Sequence, residues 1–572
     1  MANSCLRTWW MDSTGLLKGL RSSDWSSGHR WHGSIASSMI NAVPRYTSER
    51  LLGVASLAGV AIFLGVGIER PVWLDEANSV LIAARGFSGI VEGLRHENNL
   101  PGYYLLLSVW MRVFGDSEIA LRSLSAIFYL GGCLAAGVLG KRAGGNARAG
   151  WYSAFFYACS PLAIRNAQNI RMYALLGMLS GVSALSFLEL FWQGDRSWRG
   201  KTCFLVVNAC GLATHVWFSF VLGAQFLAVV LFARRELRRF VALALAAAAP
   251  IVLLWGPFFV EQIRNGATSW MAPLSGGVIL TAFTEFYGYV PAALLYGFAT
   301  LAWTLSPAGQ RLRTRNTHSH RVLAFLFAAS LAAPLLICAV RPIYWPGRYA
   351  IIALPAIAAL IGIVLAESAP RALLAGVCLL FLGFGIATQF AQREIAVDTQ
   401  LPAGQSDRTT AEFLLQHATP GDAIVFTSLT RAAADYYFRR AHAEERFVEI
   451  SFPQEIAGHL GWADSRMPPE RQGALQAEAA SAGARLCGIA AAGHKVWLYD
   501  GYSPQINAVL KGKLDAALTR RREYPLLGPY HSRIVEYDPP QSISASVAAS
   551  FGPGSSTAVA RAADVPRCRG SK

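Results

Sequence analysis

The sequence predicts a polytopic α-helical membrane protein carrying a small α/β domain at its C-terminal end. Three observations lead there. Apolar stretches of transmembrane length recur from Leu51 to about Phe390 and then stop. Of 572 residues, 53% are hydrophobic and only 15% charged, a balance that soluble domains rarely show. The loops between the apolar stretches alternate between strongly basic and nearly neutral. The apolar runs are continuous rather than alternating, which excludes a β-barrel.

Residues 1–50 are rich in Ser, Trp and Arg and lack an apolar core of signal-peptide length. They read as a disordered cytoplasmic extension, with Met39 an alternative start. The run from Leu51 to Gly67 reads as an uncleaved anchor, because Glu69, Arg70 and Pro71 follow it instead of a small-residue cleavage site. About eleven spans are expected, over 51–68, 118–140, 150–163, 172–193, 203–215, 216–233, 240–259, 279–306, 321–340, 349–366 and 371–390. Several fall short of the ~20 residues that a full crossing needs.

"KRAGGNAR" (141–148), "GDRSWRGK" (194–201), "RRELRR" (234–239) and "QRLRTRNTHSHR" (310–321) fall on alternate turns, so all four belong to one face. The positive-inside rule makes that face cytoplasmic. It also accounts for the net charge of +16 without a nucleic-acid partner. The N-terminus is then inside, and the tail from about 391 is outside, in the periplasm of a bacterial inner-membrane protein. The nine cysteines form no CxxC or Cys/His cluster, so neither zinc nor a disulfide framework is expected. No metal or other cofactor is required by the residues present.

The outer segments carry Asp75, Glu76, His96, Glu97, Gln168, Arg171, His215, Arg264, Tyr344 and Arg348. An aromatic belt with snorkelling arginines explains the rings and some of the cations. It does not explain acids beside helix ends, which gain nothing from the interface. The apolar segment 100–115, "LPGYYLLLSVWMRVFG", is too short to cross and reads as an interfacial or re-entrant helix.

Asp75 and Glu76 are consecutive, so on a helix they point about 100° apart and only one faces a common cavity. A salt bridge to an outer arginine is one reading, with most weight for Glu76. A cation or proton pathway would want acids within the spans, where only Glu189 and Glu285 are found. General base catalysis at a water-excluded interface is the third reading, and Asp75 fits it. Arg171 and Arg348 suit a phosphate or pyrophosphate held at headgroup depth, Arg171 with help from the helix that begins beside it.

"WLDEANSVLIAARGF", "NNLPGYYLLLSVWMRVFGDSEIALRSLSAIFYL" and "YACSPLAIRNAQNIRMYALLGMLS", followed in order by "ATHVWF", "ATSWMAP" and "WPGRYAIIALP", resemble the GT-C membrane glycosyltransferases. The branch is that of glycosyltransferase family 39, the protein O-mannosyltransferases and the aminoarabinose transferases, and the resemblance spans about 51–390. It implies an inverting glycosyltransferase that moves a sugar from a polyprenyl-phosphate donor to a lipid, glycan or protein acceptor of the envelope. It also implies that Asp75 is the base, with Glu76 beside it, and that Arg171 and Arg348 bind the donor phosphate. His96, Glu97, Gln168, His215, Arg264 and Tyr344 are the further substrate-binding candidates. Two departures stand out. Leu100, Pro101 and Gly102 replace a "PPLYY" start, and Asn169 stands where relatives carry Glu, with His96 and Glu97 as substitutes. A transporter or flippase of lipid-linked sugars is the alternative outside this class, although no internal repeat supports it. A polymerase or ligase of diphosphate-linked glycans is a second enzymatic alternative.

Beyond 390, helix-like and strand-like segments alternate from "DRTTAEFLLQHA" to "RIVEYDP", giving a periplasmic α/β domain over 391–540. No Gly-rich phosphate fingerprint follows its first strand. Residues 541–572 are rich in Ser, Ala and Gly and read as disordered.

Overall fold

The computed structural model describes residues 45–95, 97, 99–264, 271, 273–305, 317–368, 371–394, 406–458, 469–525 and 532–538. Most of the N-terminal extension, His96 and the 541–572 tail lie outside them. The helices are α1 (Arg45–Gly65), α2 (Leu74–Ala84), α3 (Gly86–Arg95), α4 (Pro101–Phe114), α5 (Glu118–Gly144), α6 (Ala147–Ala158), α7 (Pro161–Ala167), α8 (Tyr173–Phe191), α9 (Trp198–Thr214), α10 (Phe218–Phe232), α11 (Leu237–Arg264), α12 (Gly276–Thr284), α13 (Tyr289–Leu305), α14 (Thr317–Cys338), α15 (Leu354–Ser368) and α16 (Arg371–Glu394).

Each expected apolar stretch is helical, but not every one is a straight span. Five described helical stretches are long and apolar enough to cross a bilayer, at 118–144, 173–191, 234–263, 319–338 and 373–391. The pair α12–α13 would make a sixth, bent by 67° at its break. The stretch expected over 150–163 is interrupted at Cys159–Ser160, where Pro161 opens the short α7.

Local signals set many of the ends. Ser117 caps α5, Asn146 caps α6, Ser197 caps α9 and Ser275 caps α12, each side chain accepting a first-turn backbone N–H. The loop between α5 and α6 is minimal, and the two helices pack with α15 through small residues. A Cβ at Gly140 would fall 2.0 Å from Ser153 Oγ, so the approach of α5 to α6 depends on glycine there. Polar side chains also bind helices together: Ser183 of α8 donates to Asn208 Oδ1 of α9, and Gln225 of α10 donates to Ser183 Oγ, both at 2.8 Å.

The C-terminal part contains α17 (Asp407–His417), β1 (Ala423–Thr427), α18 (Arg431–Arg440), β2 (Val448–Phe452), a single turn α19 (Glu455–Gly458), α20 (Pro469–Ala491), β3 (Val496–Asp500), α21 (Pro504–Ala517), β4 (Thr519–Pro525) and β5 (Arg533–Asp538). The strand order is β2-β1-β3-β5-β4, with β1 parallel to β2 and β3, and β5 antiparallel to β3 and β4. Strand alternation decides what each face covers. Ala423, Val425, Leu498 and Val535 pack against Leu475, Leu486, Leu510 and Leu514 of α20 and α21. Ile424, Phe426, Trp497 and Tyr499 pack with Leu414 of α17 and Phe438 of α18, in a core that runs on into the membrane helices. Helix α21 stops at Ala517. Thr519 opens a strand, because pairing with β5 outweighs the helical propensity of the alanines.

This domain grips the start of the membrane bundle. Tyr437 Oη accepts the backbone N–H of Val72 at 2.9 Å, and Tyr436 Oη donates to the Asp116 carbonyl at 2.9 Å. Arg408 donates to the Glu69 carbonyl at 2.9 Å and pairs with Glu118 at 2.7 Å, and Arg440 completes the pair on the other Glu118 oxygen. The grip falls on the segment that leads into α2.

Candidate functional site

The segment Arg70–Trp73 is extended by Pro71 and ends at Trp73, whose φ of −100° and ψ of 171° precede the first turn of α2. Asp75 and Glu76 therefore occupy the first turn of a helix, where amide groups favour negative charge. Their side chains diverge, and the two carboxylates meet different surroundings.

Glu76 is fully buried. Its Oε2 pairs with Arg122 of α5 at 2.6 Å, and Oε1 accepts the Ile170 backbone N–H at 3.1 Å. Oε2 also receives the Trp73 N–H at 3.5 Å, a long reach back to the residue before the helix. Arg122, likewise fully buried, donates further to the carbonyls of Ile68, Arg70 and Pro71. Arg70 lies 3.7 Å from Glu76 and donates to Gln168 Oε1 at 2.9 Å. Gln168 Nε2 reaches the carbonyls of Phe63 and Val66 at 2.9 and 3.1 Å. Glu76 and Gln168 thus join α1, α2, α5 and the 168–170 turn. Both side chains, expected at the substrate, make their contacts within the protein.

Asp75 is partly open, its side chain 24% exposed. Its Oδ2 pairs with Arg348 Nη1 at 3.0 Å, and the Arg348 guanidinium also lies over the Trp73 ring at 5.6 Å and near Trp345 at 6.0 Å. Arg171 reaches the same turn from the start of α8. Its Nη1 donates to the Asp75 carbonyl at 3.3 Å and to Ser79 Oγ at 3.1 Å. Among the described residues, Arg171 Nε and the hydroxyls of Tyr103 and Tyr104 on α4 are buried without a hydrogen-bond partner. Polar atoms left this way in a charged mouth suit a polar ligand or ordered water.

His215 stands between α9 and α10 in extended conformation, buried, its ring 6.0 Å from Tyr173 and 5.4 Å from Tyr349. Its Nδ1 accepts the Trp217 N–H at 3.1 Å, which leaves the proton on Nε2. With Nδ1 accepting, the ring is a neutral donor rather than a cation. Tyr349 stacks on Trp217 at 4.6 Å and closes this wall.

The remaining candidates lie further out. Glu97 accepts from Asn78 of α2 at 2.9 Å. Tyr344 donates its hydroxyl to Glu285, and its ring lies 5.8 Å from that of Trp217. His96 and the Arg264 side chain fall outside the described residues. Residue 169 is a buried Asn whose Oδ1 has no partner, so it does not reproduce a carboxylate there. Among the described residues no group of three or more His, Cys, Asp or Glu is placed to hold a metal ion.

Sequence reasoning missed Arg122 and the two tyrosines, and it met Glu285 only as an acid within a span. Arg122 had a readable signal, since a charge one turn inside an apolar span needs a partner of opposite sign. The tyrosines had none, because aromatic residues at an interface are ordinary.

The helix bundle that carries this arrangement has a fold shared with solved structures. The crystal structure of ArnT from Cupriavidus metallidurans bound to undecaprenyl phosphate is similar at a TM-score of 0.56, covering 86% of this chain and 98% of that one at 13% identity. The apo ArnT structure gives 0.57, 88%, 98% and 14%. No protein-family model and no curated protein matches the chain.

Proposed function

We propose that the protein is an inverting glycosyltransferase that takes a sugar from a polyprenyl-phosphate carrier and acts on the outer face of the bacterial inner membrane. The observation that carries the reading is the pairing of partly open Asp75 with Arg348, beside Arg171, while the adjacent Glu76 is consumed by the fold. Undecaprenyl phosphate bound to ArnT, a protein of the same fold, supports the choice of carrier.

In this reading the donor phosphate takes Arg348 and Arg171, which frees Asp75 from its ion pair. An acceptor hydroxyl attacks the anomeric carbon from the face opposite the phosphate, and the bond from that carbon to the phosphate oxygen breaks. Asp75 receives the hydroxyl proton, and the departing phosphate keeps the electron pair under the arginines. Neutral His215 offers a hydrogen bond without adding charge.

The test is to supply purified protein with undecaprenyl-phosphate sugars and an envelope extract. Mass spectrometry and NMR of the product should show a glycoside of inverted anomeric configuration. Retained configuration, or release of sugar to water alone, would overturn the reading. For orientation, alkaline phosphatase fused after Asp398 should be active and fused after Arg238 silent, and the reverse would place the mouth on the cytoplasmic face.

A further inference from the structure

Glu285 occupies an unusual place. It follows α12 at the break of the bent pair, and irregular backbone inside an apolar span persists only if protein satisfies its polar groups. The Phe286 carbonyl accepts from Ser160 Oγ, which lies at the interruption between α6 and α7, so two broken helices meet at their breaks. Tyr287 and Phe156 pack edge to face at 6.1 Å beside that contact.

The carboxylate does not face the break. One oxygen accepts the Tyr344 hydroxyl and the other the backbone N–H of Gly347. Gly347 is held from two more sides. Its carbonyl accepts from Asn166 of α7 at 3.3 Å, and a Cβ on it would meet the Arg165 guanidinium at 2.8 Å. Its φ of +78° also requires glycine. The next residue is Arg348.

We propose that Glu285 is a positioning residue for Arg348: it fixes the 344–347 turn so that the guanidinium is aimed at the mouth beside Asp75. The inference rests on the reading of Arg348 as a phosphate ligand. Glu285 touches no substrate and acts through one arginine, which gives it a signature that general stabilisation lacks.

The experiment is a double-mutant cycle on binding of undecaprenyl phosphate to the full chain in detergent, with thermal midpoints recorded on the same samples. Glu285→Ala and Arg348→Ala should each weaken binding about tenfold or more, the usual cost of a lost charged hydrogen bond. The double variant should be little worse than Arg348→Ala alone, because the two act in series. Glu285→Gln, whose amide oxygen still accepts the Gly347 N–H, should recover most of the affinity. If Glu285→Ala does not fold, Tyr344→Phe takes its place in the cycle. Additive losses, or Gln and Ala variants equally weak, would overturn the inference alone. A wild-type chain that binds no undecaprenyl phosphate would overturn the phosphate reading and this inference with it.

Discussion

Asp75 and Glu76 are neighbours in sequence, yet they anchor two different regions. The Glu76 region is closed: carboxylate and arginine are both fully buried, and Arg122 spends its donors on three carbonyls as well. The Asp75 region is open: its ion pair has one oxygen and one guanidinium at a partly exposed mouth, among polar atoms without partners. The difference teaches how a buried pair and a working pair are told apart. A charge whose every lone pair or proton is matched by the protein has nothing left to give a substrate. A charge at a partly exposed mouth can exchange its partner.

The two arginines break or sharpen this contrast first. Arg122→Ala leaves Glu76 buried without its main partner, and such losses cost about 3–5 kcal/mol. The expected outcome is a large fall in thermal midpoint or failure to fold, read by melts in detergent. Arg348→Ala should leave that midpoint close to wild type. Equal melting of the two variants would erase the distinction between the regions.

The next effect is on transfer. Arg348→Lys keeps the charge but loses the planar fork, so transfer should stay about tenfold or more below wild type. Wild-type rate in the Lys variant would make Arg348 an interfacial anchor.

The grip of the C-terminal domain gives a smaller effect. Tyr437→Phe orphans the Val72 N–H just ahead of the carboxylates, at a cost of about 1–3 kcal/mol. Transfer should fall modestly with donor binding intact, measured as a lower kcat at unchanged KM for the donor. An unchanged kcat would detach the domain from the site.

The last effect concerns pH alone. Burial pushes Asp407, on α17 outside the bundle, up to about 7. The folded chain then holds this proton more tightly than the unfolded one, so the contribution is complete below about pH 4 and is lost as pH rises through about 7. Asp407→Asn should flatten that part of the curve of melting temperature against pH. An unaltered curve would remove Asp407 as its source.

Much of this was legible in residues. An acid beside a helix end is out of place in an aromatic belt, which singled out Asp75, and basic loops on alternate turns placed Arg171, His215 and Arg348 together. The division between Asp75 and Glu76 was only half legible. Helical geometry says that the two diverge, but not which one meets Arg122, 46 residues away. The roles of Gln168 and Tyr344 were not legible, since both depend on contacts with distant backbone or with a break inside a span. Strand β4 was hidden for a similar reason: its pairing with β5 is tertiary, while its alanine-rich approach is local.

The central claim is that one carboxylate serves chemistry and its neighbour serves the fold. Single-turnover transfer from a polyprenyl-phosphate sugar, measured with thermal midpoints on the same Asp75→Asn and Glu76→Gln samples, tests it most directly. Asp75→Asn should lose roughly two to four orders of magnitude in rate, the usual worth of a positioned base, with its midpoint and donor binding kept. Glu76→Gln should melt earlier and, below its midpoint, transfer at a rate far closer to wild type. An Asp75→Asn variant that transfers at the wild-type rate would contradict the account.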